Sequence, residues 1–106
     1  MVGIRKYRDS RGRVPFDDWI RKLRDTRARQ QILIGVRRLS LGLEGDWKTV
    51  SGRVRELRIP TGKGYRVYYA WLGRTEIILL CGGDKTTQPR DIDAAIRNWR
   101  DYDGPA

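Results

Sequence analysis

Histidine is missing from all 106 residues, and cysteine occurs once, at Cys81. Such a chain has no Ser-His-Asp triad and no ordinary zinc site to offer, and a thiol nucleophile would lack its usual imidazole partner. One cysteine also excludes an internal disulfide and fits a reducing, cytoplasmic setting. Cys81 stands in the apolar run Ile77-Ile78-Leu79-Leu80-Cys81, where a small buried hydrophobe is the expected role. No apolar stretch approaches the ~18 residues of a membrane span. The opening Met1-Val2-Gly3-Ile4-Arg5-Lys6-Tyr7 has no apolar signal core, and Val2 stands where myristoylation needs glycine, so neither a leader nor a lipid anchor is expected. Carboxylates are scarce as well, with 13 Asp and Glu against 23 Lys and Arg.

The resulting net charge of +10 favours a polyanionic partner. The charge is uneven. Met1 to Arg38 holds twelve basic and four acidic residues, whereas Leu39 onward holds eleven and nine. With 39% hydrophobic residues, four Trp and five Tyr, the chain can build a core, and its length suits one domain spanning 1–106.

Val2 to Arg8 reads as a strand with partial alternation. Pro15 fits a first helical turn, with Asp17 and Asp18 favourable there. Phe16, Trp19, Ile20 and Leu23 follow helical spacing, and Asp25 or Thr26 caps a second helix. That helix has a stripe of Ala28, Ile32, Val36, Leu39 and Leu43, and Gly42 and Gly45 mark its end. From Trp47 onward the period becomes alternating. Val54 to Ile59 puts Val54, Glu56 and Arg58 on one face and Arg55, Leu57 and Ile59 on the other. After the Pro60–Gly64 turn, Tyr65 to Leu72 puts Arg66, Tyr68 and Ala70 opposite Tyr65, Val67, Tyr69 and Trp71. Gly73-Arg74 turns into Thr75 to Cys81, a strand expected to be covered on both faces. Pro89 opens a last helix with Ile92, Ala95, Ile96 and Trp99 inward, and Asp101 to Ala106 is expected to fray. The expected architecture is a small α+β domain. Its antiparallel meander packs two N-terminal helices and a C-terminal helix over one face.

The cations of these strands suit an anionic phosphodiester. Arg66 offers a planar fork of donors matching phosphate oxygens; the competing role is a surface arginine. Arg58, on the neighbouring strand, can converge with Arg66 or can pair with Glu56 or Glu76. Lys85 follows Gly82-Gly83, glycines that let backbone approach a ligand. It can protonate a leaving oxygen, bind phosphate, or stand free in solvent. Glu56 is the carboxylate on the face of Arg58, as a general base or as its ion-pair partner. Thr87 and Gln88 can contact a base or sugar, though capping the last helix is favoured. Tyr68 shares the face of Arg66 and is a candidate to stack on bases, whereas Tyr65, Tyr69, Trp71, Trp19 and Trp99 are assigned to the core. Arg27, Arg29, Arg37 and Arg38 lie off the second helix's stripe, placed to grip RNA or an acidic partner rather than to cut, with solvated helix charge the default role for any one of them. The Asp17-Asp18 and Asp91-x-Asp93 pairs are helix-start acids, too sparse for a two-metal nuclease. Gly62-x-Gly64 is a hairpin turn and not a phosphate loop. No cofactor or metal is expected.

Three segments, Val54-Arg55-Glu56-Leu57-Arg58-Ile59, Gly62-Lys63-Gly64-Tyr65-Arg66-Val67-Tyr68-Tyr69 and Gly82-Gly83-Asp84-Lys85-Thr86-Thr87-Gln88, together with Asp91-Ile92, resemble the RelE/ParE superfamily of bacterial toxins. Within it they are most similar to the HigB-like, addiction-module killer branch. The resemblance implies a metal-independent, ribosome-dependent mRNA endonuclease that displays catalytic cations on a concave sheet. It also implies a cognate antitoxin, of helix-turn-helix type, held in a hetero-oligomer. ParE-like relatives share the fold but bind DNA gyrase and cut nothing, which is the alternative function. The chain departs from ribosome-dependent relatives that carry lysine at the position of Glu56 and tyrosine near Ile92.

Overall fold

The computed structural model describes residues 1–103. The chain runs β1 (Gly3–Lys6), α1 (Pro15–Lys22), α2 (Thr26–Ser40), β2 (Trp47–Ser51), β3 (Val54–Ile59), β4 (Tyr65–Leu72), β5 (Glu76–Asp84) and α3 (Gln88–Asp103), with one 3-10 turn, Lys85–Thr87, before the last helix. The α+β class is as expected. The helix starts follow their sequence signals: Pro15 opens α1, and the Asp25 carboxylate accepts from Ala28 N at 3.0 Å to cap α2. Leu43 falls beyond α2 and is exposed.

The five strands lie in the order β1-β5-β4-β3-β2. Strands β2 to β5 form an antiparallel meander, but β1 pairs with β5 in parallel, so the sheet is mixed. Strand β2 is an addition to the expected order. It pairs with β3 across a bulge between Thr49 and Ser51, an irregularity that blurs its alternation.

Two layers of helix enclose the sheet, rather than one. Phe16, Ala28, Ile32 and Leu39 of α1 and α2 pack on Leu57, Ile59, Tyr65, Val67, Tyr69, Ile77 and Leu79. Ala95 packs on the opposite face, with Ile92, Ile96 and Trp99, against Val54, Tyr68, Ala70, Ile78 and Leu80. A meander buried on one side alone would have left Tyr68 and Ile78 in water. Fully burying a side chain such as Ile32 or Leu39, both 0% exposed, contributes about 1.5–3 kcal/mol. Strand β5 is buried on both faces, as its unbroken apolar run predicts. Helix α3 continues through Asp103, so the expected fraying does not include 101–103; the rest of that segment lies outside the described residues.

Candidate functional site

Arg58 and Arg66 stand directly opposite one another in the β3–β4 register. Both point to the face carrying Glu56 and Tyr68, as the alternation of each strand predicts. Like charges opposed across two strands repel, and each guanidinium has its own carboxylate. Arg58 Nη2 donates to Asp46 Oδ1 at 3.0 Å, and Arg58 N donates to Asp46 O at 2.8 Å. Arg66 Nε lies 3.6 Å from Glu56 Oε2, and Arg66 Nη1 donates to Gly64 O at 2.8 Å. Asp46, Arg58, Ile59, Pro60, Gly64, Tyr65 and Arg66 line one hollow of about 340 Å³. The two arginines therefore share a cavity. Arg58 pairs with neither carboxylate that the sequence offers it: Glu76 binds Arg5, and Glu56 faces Arg66.

Glu56 is completely buried. Its Oε2 accepts from the Tyr68 hydroxyl at 2.9 Å and from Gln88 Nε2 at 2.8 Å. Lys48 Nζ lies 3.8 Å from Oε1, which accepts no hydrogen bond. A buried carboxylate needs such company, since burying an unpaired charge is prohibitive. Burial, followed by the hydrogen bond to Glu56, pushes the Tyr68 phenol well above its ordinary range. A carboxylate sealed in this way is closed to an outside hydroxyl, and it stands 3.6 Å from Arg66 Nε as that guanidinium's counter-charge.

Lys85 is exposed and begins the 3-10 turn. A Cβ built on Gly64 would stand 3.6 Å from Arg66 Nη1 and 3.6 Å from Lys85 Cβ, so the two cationic residues flank one glycine. The positive φ of 75° at Gly64 suits that residue. Gly82 and Gly83 make room for the protein itself and not for a ligand. A Cβ on Gly82 would overlap the Trp19 ring, 2.7 Å from Cδ2, and one on Gly83 would overlap the Asp91 carboxylate, 2.6 Å from Cγ. Asp91 in turn accepts from the Thr87 hydroxyl. The Asp84 side chain caps the turn by accepting from Thr86 N at 2.8 Å. The Thr86 hydroxyl and that amide hold the Asp84 carboxyl below its ordinary range against the effect of burial.

Several candidates change role. Tyr68 is 0% exposed and cannot stack on a base. Gln88 donates to Glu56 rather than capping the last helix, and Thr87 belongs to the cap of the preceding 3-10 turn instead, its hydroxyl oxygen accepting from Asp84 N at 3.3 Å. Arg29 folds back on the loop and donates to Leu23 O. Arg27, Arg37 and Arg38 are exposed. Asp46 and Lys48 carry no sequence signal of their own, because their placement depends on the pairing of β2, whose period is broken. A further cluster lies on the α2 face: Arg55 donates to Glu44 at 2.7 Å, Tyr69 donates to Glu44 at 2.5 Å, and Arg55 stacks 4.0 Å over Trp47. Among the described residues no three His, Cys, Asp or Glu side chains gather as metal ligands, and no helix is long and apolar enough to cross a membrane.

An uncharacterized protein of Haemophilus influenzae (strain ATCC 51907 / DSM 11121 / KW20 / Rd) is 48% identical over 80 residues, which is 76% of this chain and 81% of that protein. Residues 18–100 match the family model described as phage derived protein Gp49-like (DUF891), a span containing α2, β2 to β5 and every cation of the hollow. The chain therefore belongs to the phage-derived Gp49-like family.

Proposed function

We propose that this protein is the toxin of a toxin–antitoxin pair and cleaves mRNA at the ribosome without a metal ion. The observation that carries this reading is the in-register opposition of Arg58 and Arg66 over one open hollow, with Lys85 beside Gly64. A phosphodiester entering the hollow meets two guanidinium forks that stay charged at any working pH. Arg66, already oriented by Glu56 and Gly64 O, stabilises the extra charge of the phosphorane. Lys85 stands within the reach of a flexible side chain and supplies a proton to the departing 5′-oxygen. Exposed Arg37 and Arg38 extend the cationic surface toward RNA. Exposed Leu33, Ile34, Leu41 and Leu43 beside them suit an antitoxin that presents apolar and acidic side chains. Family membership is compatible with a toxin of this kind.

The test is induced expression of wild type and Arg66→Ala, followed by growth and by mapping breaks in a reporter mRNA. Wild type should arrest growth and cut the message; the variant should lose about 10²–10³ in cleavage, the usual cost of one charge-stabilising donor. Equal arrest and equal cutting by a folded variant would overturn the assignment. The second reading is a ParE-like gyrase-binding toxin with no nuclease activity, and what favours it is the complete burial of Glu56 on the shared strand face. That protein would induce double-strand DNA breaks and an SOS response before translation falls.

A further inference from the structure

We infer that Asp46 is the general base of the hollow, the group that takes the proton from the attacking 2′-hydroxyl. This inference rests on the ribonuclease reading above and supplies the step that Glu56 cannot perform. Asp46 contributes the carboxylate among the hollow's lining residues, alongside Arg58 and Arg66. Its side chain is 55% exposed, against 0% for Glu56, so a ribose can reach it. Only Oδ1 is engaged, at 3.0 Å from Arg58 Nη2; among the described residues no hydrogen bond is made to Oδ2. The backbone bond from Arg58 N to Asp46 O at 2.8 Å ties the loop to β3 independently of the side chain. Asp46 is thereby held in register with the arginine that would bind the phosphate.

Asp46 Oδ2 accepts the 2′-hydroxyl proton, and the 2′-oxygen bonds to phosphorus. The bond from phosphorus to the 5′-oxygen breaks, leaving a 2′,3′-cyclic phosphate on the upstream fragment. The 5′-oxygen takes a proton from the Lys85 ammonium. Asp46 then releases its proton to water and Lys85 regains one, so neither is consumed. Arg58 holds Oδ1 of the carboxylate at 3.0 Å and turns its free donors to the phosphate as the substrate arrives. General bases of this kind contribute about 10²–10⁴ in rate.

The experiment compares full-length wild type, Asp46→Asn and Arg66→Ala. Reporter mRNA breaks are mapped in cells, and binding to a labelled single-stranded oligoribonucleotide is measured in vitro. Asn keeps the shape and the acceptor for Arg58 but cannot take the proton, and the exposed side chain makes loss of folding easy to exclude by circular dichroism. The expected result is cleavage reduced by about 10²-fold or more, with oligoribonucleotide binding equal to or tighter than wild type. Cleavage by Asp46→Asn at the wild-type rate or faster would overturn the inference and leave Asp46 a mere counter-ion of Arg58. Parallel loss of binding and cleavage would overturn it too, by making Asp46 a positioning residue for Arg58. If wild type itself makes no breaks, the ribonuclease reading fails, an outcome distinct from cutting by both proteins.

Discussion

Replacing Glu56 with alanine should be among the most damaging single changes available to this fold, although Glu56 is a charged residue in a basic protein. The carboxylate is fully buried and receives the Tyr68 hydroxyl at 2.9 Å and Gln88 Nε2 at 2.8 Å. Deleting it orphans two donors, one of them on a completely buried tyrosine, at about 1–3 kcal/mol each. It also strips the counter-charge from Arg66, whose side chain is only 12% exposed. Breaking a buried pair by removing one member costs about 3–5 kcal/mol, and because these losses share atoms the net expected is about 3–5 kcal/mol rather than their sum. Against a total stability of about 5–15 kcal/mol this is a large share. At about 4–8 °C per kcal/mol for a domain near this size, the melting temperature should fall by roughly 15 °C or more. Glu56→Gln retains an acceptor for Tyr68 and Gln88 and should lose roughly half as much. Urea titration followed by tryptophan fluorescence measures both, and adding Arg66→Ala completes a double-mutant cycle. A loss below about 1 kcal/mol for Glu56→Ala, with an unchanged denaturant slope, would refute the claim that this carboxylate organises the site.

Two further outcomes test other parts of the structure. Gly83→Ala would drive a Cβ to 2.6 Å from Asp91 Cγ and lift the start of α3 from the sheet; overpacking of this sort costs about 1–3 kcal/mol, and a thermal melt superimposable on wild type would exclude the contact. The Tyr7 phenol is pushed up to about 12 by its hydrogen bond to Asp101, with burial and the Asp101 charge adding to it. A raised phenol stabilises the fold fully below its unfolded value of about 10 and loses that contribution as pH rises through its folded value. Stability should therefore fall between roughly pH 10 and 12, and Tyr7→Phe should flatten the part of that decline that belongs to Tyr7. Identical alkaline titrations of the two proteins would remove Tyr7 from the account.

Much of the local structure follows from short-range spacing. The alternation of Val54 to Ile59 and of Tyr65 to Leu72 assigns each side chain to its observed face, because a strand turns successive Cβ atoms to opposite sides. The stripes Phe16, Trp19, Ile20 and Ala28, Ile32, Leu39 mark the buried sides of α1 and α2 for the same kind of reason. Asp25 and Pro15 announce helix starts through backbone chemistry that operates within one turn. Arg58 and Arg66 therefore emerge on a common face from their own strands alone.

What surrounds those arginines was settled by packing over long separations. Gly3–Lys6 carries no mark saying that it will run parallel beside β5, and Arg5 meets Glu76 across 71 positions. Glu56 reads as an exposed strand carboxylate until α3 crosses that side and brings Gln88, 32 positions away, to cover it. Asp46 acquires its place beside Arg58 only when the irregular β2 pairs with β3. Periodicity specifies the side to which a residue points, since that depends on its immediate neighbours. Which segment comes to lie over that side is a competition among distant apolar surfaces, and in this protein it converts an acid on the strand into a buried anchor while leaving another at the mouth of the hollow.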